Sequence, residues 1–168
     1  MQKNQDKNLE KEENELETSP LLGMRWFYFQ IYFGLYISAI ICAFNALFQL
    51  TGITYTVRLG LSLEQLNVLF QDHESLPIIS IVMSVLYVFL SIFAIYTRVK
   101  LAKFKENSEK LFLYYIWGQS LLNYSFSALT YIIIGINTYR HFVTLFCDFI
   151  YWILNKKYFK KRKFLFDK

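Results

Sequence analysis

Three stretches of this chain, residues 26–57, 75–97 and 111–139, contain no charged side chain and are 32, 23 and 29 residues long. A helix rises about 1.5 Å per residue and a bilayer's hydrocarbon core is roughly 30 Å thick, so about 20 apolar residues span it. Each stretch is long enough. Three in succession within 168 residues, 55% of them hydrophobic and 20% aromatic, predict a small membrane bundle in place of a soluble core.

A fourth stretch, 141–155, is shorter and contains Asp148. Tyr139 on one side and Lys156, Lys157 and Tyr158 on the other extend it, because lysines snorkel and aromatic rings favour the interface. The cations require this fourth span. Of 18 Lys and Arg, four precede the first stretch, five lie between the second and third, and seven follow the fourth, leaving only Arg58 and Arg140 for the opposite side. A 16 to 2 split obeys the positive-inside rule with both termini cytoplasmic. With three spans the seven-cation end would have to be translocated.

The predicted fold class is therefore all-α: an integral membrane four-helix antiparallel bundle with spans at about 26–50, 77–98, 111–136 and 139–157. A polar, disordered cytoplasmic tail is expected over 1–23, the membrane bundle over 24–157 and a polybasic cytoplasmic tail over 158–168. The first tail holds six acids and three lysines with no apolar periodicity. Its residues 17–22 match an acidic dileucine sorting pattern, which is short enough to arise by chance. No cleavable signal peptide is expected, since the first 24 residues are hydrophilic.

In the first outer loop, Ser62 and Gln65 have capping-box spacing, and Leu63, Leu66, Leu69 and Phe70 recur at helical spacing. They predict a short amphipathic helix on the outer surface. Pro77 suits the first turn of the second span.

Polar residues within spans turn toward the bundle, because apolar ones face hydrocarbon at no cost. Four stripes follow: Gly34, Ser38, Cys42, Asn45 and Gln49; Ser80, Ser84, Tyr87 and Ser91; Gln119, Asn123, Ser127 and Thr130; Thr144, Asp148, Tyr151 and Asn155. Antiparallel threading brings Ser38, Tyr87, Asn123 and Asp148 to one layer at mid-membrane. An Asp there costs about 2.5–3.5 kcal/mol on insertion scales, so it must be protonated, hydrated or hydrogen-bonded, with Asn123 and Tyr87 as the expected donors. The predicted polar cluster is Asp148, Asn123, Tyr87, Ser38, Asn45, Gln49 and Gln119.

The run Lys156, Lys157, Lys160, Lys161, Arg162 and Lys163 lies just inside the last span, where each base attracts anionic lipid headgroups by about 1 kcal/mol. Lipid contact is expected there, and nucleic-acid binding is not. Cys42 and Cys147 fall inside spans and are expected as reduced thiols. His73, beside Asp72 and Glu74, is expected at a solvated loop end, not at a metal. No metalloprotease motif, nucleophile elbow or phosphate-cradling glycine loop occurs. No catalytic residue, metal or cofactor is expected.

Three segments carry a family likeness: Arg25-Trp26-Phe27-Tyr28-Phe29 leading to Leu50-Thr51-Gly52; Ile95-Tyr96-Thr97-Arg98 with Leu101-Ala102-Lys103-Phe104-Lys105; and the ending from Tyr158 through Lys160-Lys161-Arg162-Lys163 to Phe166. Together they resemble a group of small four-helix membrane proteins of low-GC Gram-positive bacteria. The resemblance implies a bacterial plasma membrane and supplies no activity. The expected function is structural, accessory or partner-binding, including an immunity-type protein, with the bilayer, a second copy or another membrane protein as partner. The alternative is an oligomeric channel or transporter subunit with a polar path through Asp148.

Overall fold

A computed structural model describes residues 24–135 and 140–166, and every element among them is helical. We number them α1 (Arg25–Leu50), α2 (Ile53–Leu59), α3 (Leu63–Asp72), α4 (Ser75–Ala102), α5 (Ser108–Ile134) and α6 (Arg140–Lys160), closed by a 3₁₀ turn, Lys163–Leu165. Residues 1–23, the dileucine-like pattern among them, and the 136–139 connection lie outside the described residues.

Two of the long helices, α1 and α4, are long and apolar enough to cross a membrane. The charge pattern predicts four such spans, and α5 and α6 do not reach the same hydropathy. The physical reason lies in their own residues. Gln119, Asn123 and several tyrosines dilute α5, while Asp148 and the terminal bases dilute α6.

Small residues set the α1–α4 contact. Ala39, Cys42 and Ala46 are buried on one face of α1. Opposite them, Ser91 Oγ donates to the Ala39 carbonyl at 2.9 Å and Ser84 Oγ to the Ala46 carbonyl at 2.8 Å. Such side chains let two backbones approach closely, and dispersion plus these hydrogen bonds then holds the pair. The pairing of rising α1 numbers with falling α4 numbers makes the two antiparallel. The same holds for α4 with α5 (Tyr87 to Asn123, Phe93 to Tyr115) and for α5 with α6 (Trp117 to Trp152, Phe112 to Phe159).

At the end bearing most of the bases, α6 folds back on α1. Trp26 Nε1 donates to Asn155 Oδ1 at 3.0 Å, and the Phe27 amide to the Tyr158 hydroxyl at 3.2 Å. Phe27, Phe104, Phe112, Phe159 and Phe166 form one aromatic cluster there, with the Phe27 and Phe104 rings stacked at 5.1 Å. Phe104 adopts a positive φ of 48°, a conformation a bulky residue holds only when its surroundings fix it; here the ring lies between Phe27 and Phe166. Because Phe159 and Phe166 are buried, residues 158–166 belong to the folded body. The expected tail over 158–168 thus packs onto the helices through Phe159 and Phe166.

At the opposite end the chain forms two short helices where one is predicted. The Ser62–Gln65 capping box is present in both directions, at 3.2 and 2.8 Å. Leu66 is buried and Leu69 and Phe70 half-buried, whereas Leu63 turns outward. Gly52, at φ 72°, is left-handed so that α2 can turn back under Leu66 and Phe70. Tyr55 is then buried against Phe70 and Phe126, within hydrogen-bond distance of Ser80 at 3.1 Å.

Candidate functional site: a polar cavity at Asp148

Between α1, α5 and α6 the helices leave a cavity of about 450 Å³. Among the described residues α6 meets α1 around the Trp26–Asn155 contact, and the cavity lies beside it. Its polar lining comes from three helices: Gln30 and Ser38 of α1, Gln119, Ser120 and Asn123 of α5, Asp148 and Tyr151 of α6.

The α1 wall depends on an irregular turn. Residues Gln30–Gly34 form a π-turn, a one-residue insertion that re-aims side chains locally. Gln30 is thereby buried, and its Oε1 occupies the place a Cβ on Gly34 would need. Arg98 of α4 braces the same turn, donating from Nε to the Ile31 carbonyl at 3.2 Å with its guanidinium 4.5 Å from the Tyr36 ring centroid.

Hydrogen bonds join the helices around the cavity in pairs. Ser120 Oγ donates to Asp148 Oδ2 at 2.9 Å. Tyr87 donates to Asn123 Oδ1 at 2.6 Å from behind the α5 wall. Ser38 shares a hydrogen bond with the Tyr115 hydroxyl and lies 3.4 Å from Gln119 Oε1. Asn155 donates to the Tyr151 carbonyl at 2.8 Å while accepting from Trp26.

Four of the seven predicted cluster residues, Ser38, Gln119, Asn123 and Asp148, therefore line one cavity. Tyr87 supports it through Asn123 and does not reach Asp148. This corrects the expected donors: Ser120 donates to the carboxylate, and Tyr87 donates to Asn123. Ser120 adjoins Gln119 and is spaced i, i+3 and i, i+7 from Asn123 and Ser127, so spacing alone could not choose between the two neighbouring polar residues. Asn45 and Gln49 stand apart. Asn45 is half-buried outside the lining, and Gln49 is buried with Oε1 lacking a hydrogen-bond partner among the described residues. The α1 stripe is in fact two faces: Leu35, Ala39, Cys42, Ala46 and Gln49 are buried, while Gly34, Ser38 and Asn45 are half-buried beside them. Thr144 has no described side chain. Gln30 and Tyr115 were not predicted; their signal is weak because aromatic and amide side chains at a span's end also fit the membrane interface.

On its other side the α5–α6 seam opens into an outward groove of about 300 Å³, apolar apart from Ser120, Tyr124 and Asp148. Asp148 and Ser120 line both spaces and form the partition between them.

The basic run divides. Lys156, Lys157, Lys160, Lys161 and Lys163 are exposed, with Lys156 Nζ 4.7 Å from the Trp152 ring centroid. Arg162 is buried at 6% exposure, its guanidinium 3.8 Å from the Tyr158 ring centroid and its Nη1 donating to the Tyr158 carbonyl at 3.2 Å. It is turned into the body by the fold-back of 161–166, which removes it from the expected headgroup contacts. Among the described residues no group of three or more His, Cys, Asp or Glu side chains could hold a metal ion.

No family model, curated protein or solved structure matches the chain.

Proposed function

We propose that this chain is a four-span membrane protein with both termini at the cytoplasmic face of a plasma membrane, acting by binding a partner in a structural, accessory or immunity-type role. One observation carries the reading: the surface is as apolar as the core, the opposite of a water-soluble bundle, and polar side chains are buried among the core residues. Phe33, Ile40, Phe44 and Leu47 of α1 are each more than half exposed, as are Ile78, Phe89 and Ile92 of α4. Leu121 and Ile132 of α5 and Phe146 and Leu154 of α6 repeat the pattern, while Gln30, Gln49, Ser80, Ser84 and Asn155 are buried. In water such a surface would aggregate. In hydrocarbon it costs nothing, and the polar groups belong inside. The 16 to 2 cation split sets the orientation, and the five exposed lysines from Lys156 to Lys163 then face anionic headgroups.

Impermeant maleimide labelling of intact cells tests it. In a background lacking Cys42 and Cys147, a single cysteine at Asn67 in α3 should react from outside, and one at Lys160 only after permeabilisation. Reaction of both from the same side sinks the four-span reading.

The cavity favours a second reading, an oligomeric channel or transporter subunit, because four helices make a poor pore alone. Ion or solute flux by the purified, reconstituted chain, lost in Asp148→Asn, would move the assignment there. Flux that survives the substitution removes Asp148 from the path.

A further inference from the structure

We propose that the α5–α6 seam is a binding site for a lipophilic organic monocation, with its positive centre paired to Asp148 and its apolar body in the outward groove. The inference deepens the binding reading above and rests on it, since hydrocarbon is the route by which such a ligand arrives.

Charge complementarity chooses the occupant. The Asp148 carboxylate accepts one hydrogen bond, from the neutral Ser120 hydroxyl, and no Lys or Arg whose side chain is described pairs with it. Lys156, two turns further along α6, sits over Trp152. An ionised carboxylate against these apolar walls is stabilised by a counter-charge within a few ångströms, because removing it from water costs several kcal/mol. Anions are excluded by the same charge.

The walls decide between a metal ion and an organic cation. Hard cations require about six oxygen ligands. On the groove side only the Ser120 and Tyr124 hydroxyls stand beside Asp148, too few for a hard cation there, and the remaining surface is Trp117, Leu121, Leu145, Phe149 and Trp152 with their neighbour Ile116; the oxygens of Ser38, Gln119 and Asn123 lie in the cavity behind. Those rings and branched chains desolvate an organic body, and aromatic faces attract a diffuse positive charge. The polar cavity behind Asp148 leaves room for water on the carboxylate's far side.

The test uses the full chain purified in uncharged detergent, with tetraphenylphosphonium as probe and tetraphenylborate, of the same shape and opposite charge, as its comparison. Equilibrium dialysis against protein-free detergent should show saturable binding of the phosphonium and none of the borate. Asp148→Asn should weaken phosphonium binding about tenfold or more, the scale of a charge-assisted contact. Asp148→Glu should retain it, and Leu121→Trp, which fills the groove, should block it. Should the Asn variant elute as aggregate, the phosphonium–borate comparison and Leu121→Trp decide. Equal affinity in wild type and a folded Asp148→Asn, equal binding of the borate, or no saturable binding overturns the site. Failure of the membrane reading appears separately, in the maleimide pattern, which needs no ligand.

Discussion

Ser120 and Asp148 face each other across the α5–α6 seam, with the hydroxyl 2.9 Å from Oδ2. This contact holds an acid that stands among the apolar residues of α6. Ser120→Ala should lower stability in detergent by about 1 kcal/mol, the usual scale for an interhelical hydrogen bond in a membrane protein. A thermal unfolding series checks it. In Asp148→Asn the side-chain carbonyl can still accept from Ser120, so the further loss from adding Ser120→Ala should persist there and vanish in Asp148→Leu. Equal losses in all three backgrounds would show that the contact contributes nothing.

Gly34 and Gln30 are coupled through space, since a Cβ at 34 would collide with the Gln30 amide oxygen. Gly34→Ala should therefore force Gln30 out of the cavity wall at a cost of about 1–2 kcal/mol, in the range for overpacking. Gln30→Ala removes the obstacle, so the double variant should be more stable than the sum of the single losses. A double-mutant cycle measures this coupling. Strict additivity counts against the proposed packing.

The α1–α4 contact should tolerate loss of a hydrogen bond better than gain of bulk. Ser91→Ala removes one donor to the Ala39 carbonyl and should cost about 0.6 kcal/mol. Ala46→Leu inserts a branched chain where Ser84 approaches the backbone and should cost about 1–3 kcal/mol. Denaturant titration in mixed micelles ranks them, and the reverse order would mean that close approach is not what holds the pair.

The last residues before 167 act as a clasp. Phe166 is buried against Phe27, Phe104 and Phe159, so Phe166→Ala should cost about 3 kcal/mol or more. Lys163→Ala, at an exposed neighbouring position, should change stability by less than about 0.5 kcal/mol. Proteolysis at the C-terminal end, followed by mass, should accelerate in the first variant only.

Much of this architecture is legible along the chain because each signal is local. Charge-free lengths mark where long helices run, the Ser62 and Gln65 pair marks where α3 starts, and small or polar residues at spacings of three and four mark inward faces. Periodicity even collects Ser38, Gln119, Asn123 and Asp148 before any fold is known. It fails at Ser120, Gln30 and Arg162, and each failure has a cause outside the local pattern. Ser120 is chosen by where α6 crosses α5. Gln30 is turned inward by a π-turn that shifts the helical phase by one residue. Arg162 is carried inward by the return of the chain onto Phe27 and Phe104.

What the sequence alone determined, then, is where the long helices and α3 run, their polar and apolar faces and the presence of an acid among apolar residues, since these follow from residue type and spacing. Only the tertiary structure decided what that acid faces. Helix α6 meets α1 around the Trp26–Asn155 contact with the cavity beside it, and the crossing of α5 and α6 leaves Asp148 between that cavity and an apolar groove. Contact and crossing depend on side-chain volumes meeting across helices distant in sequence, a sum that no single helix contains.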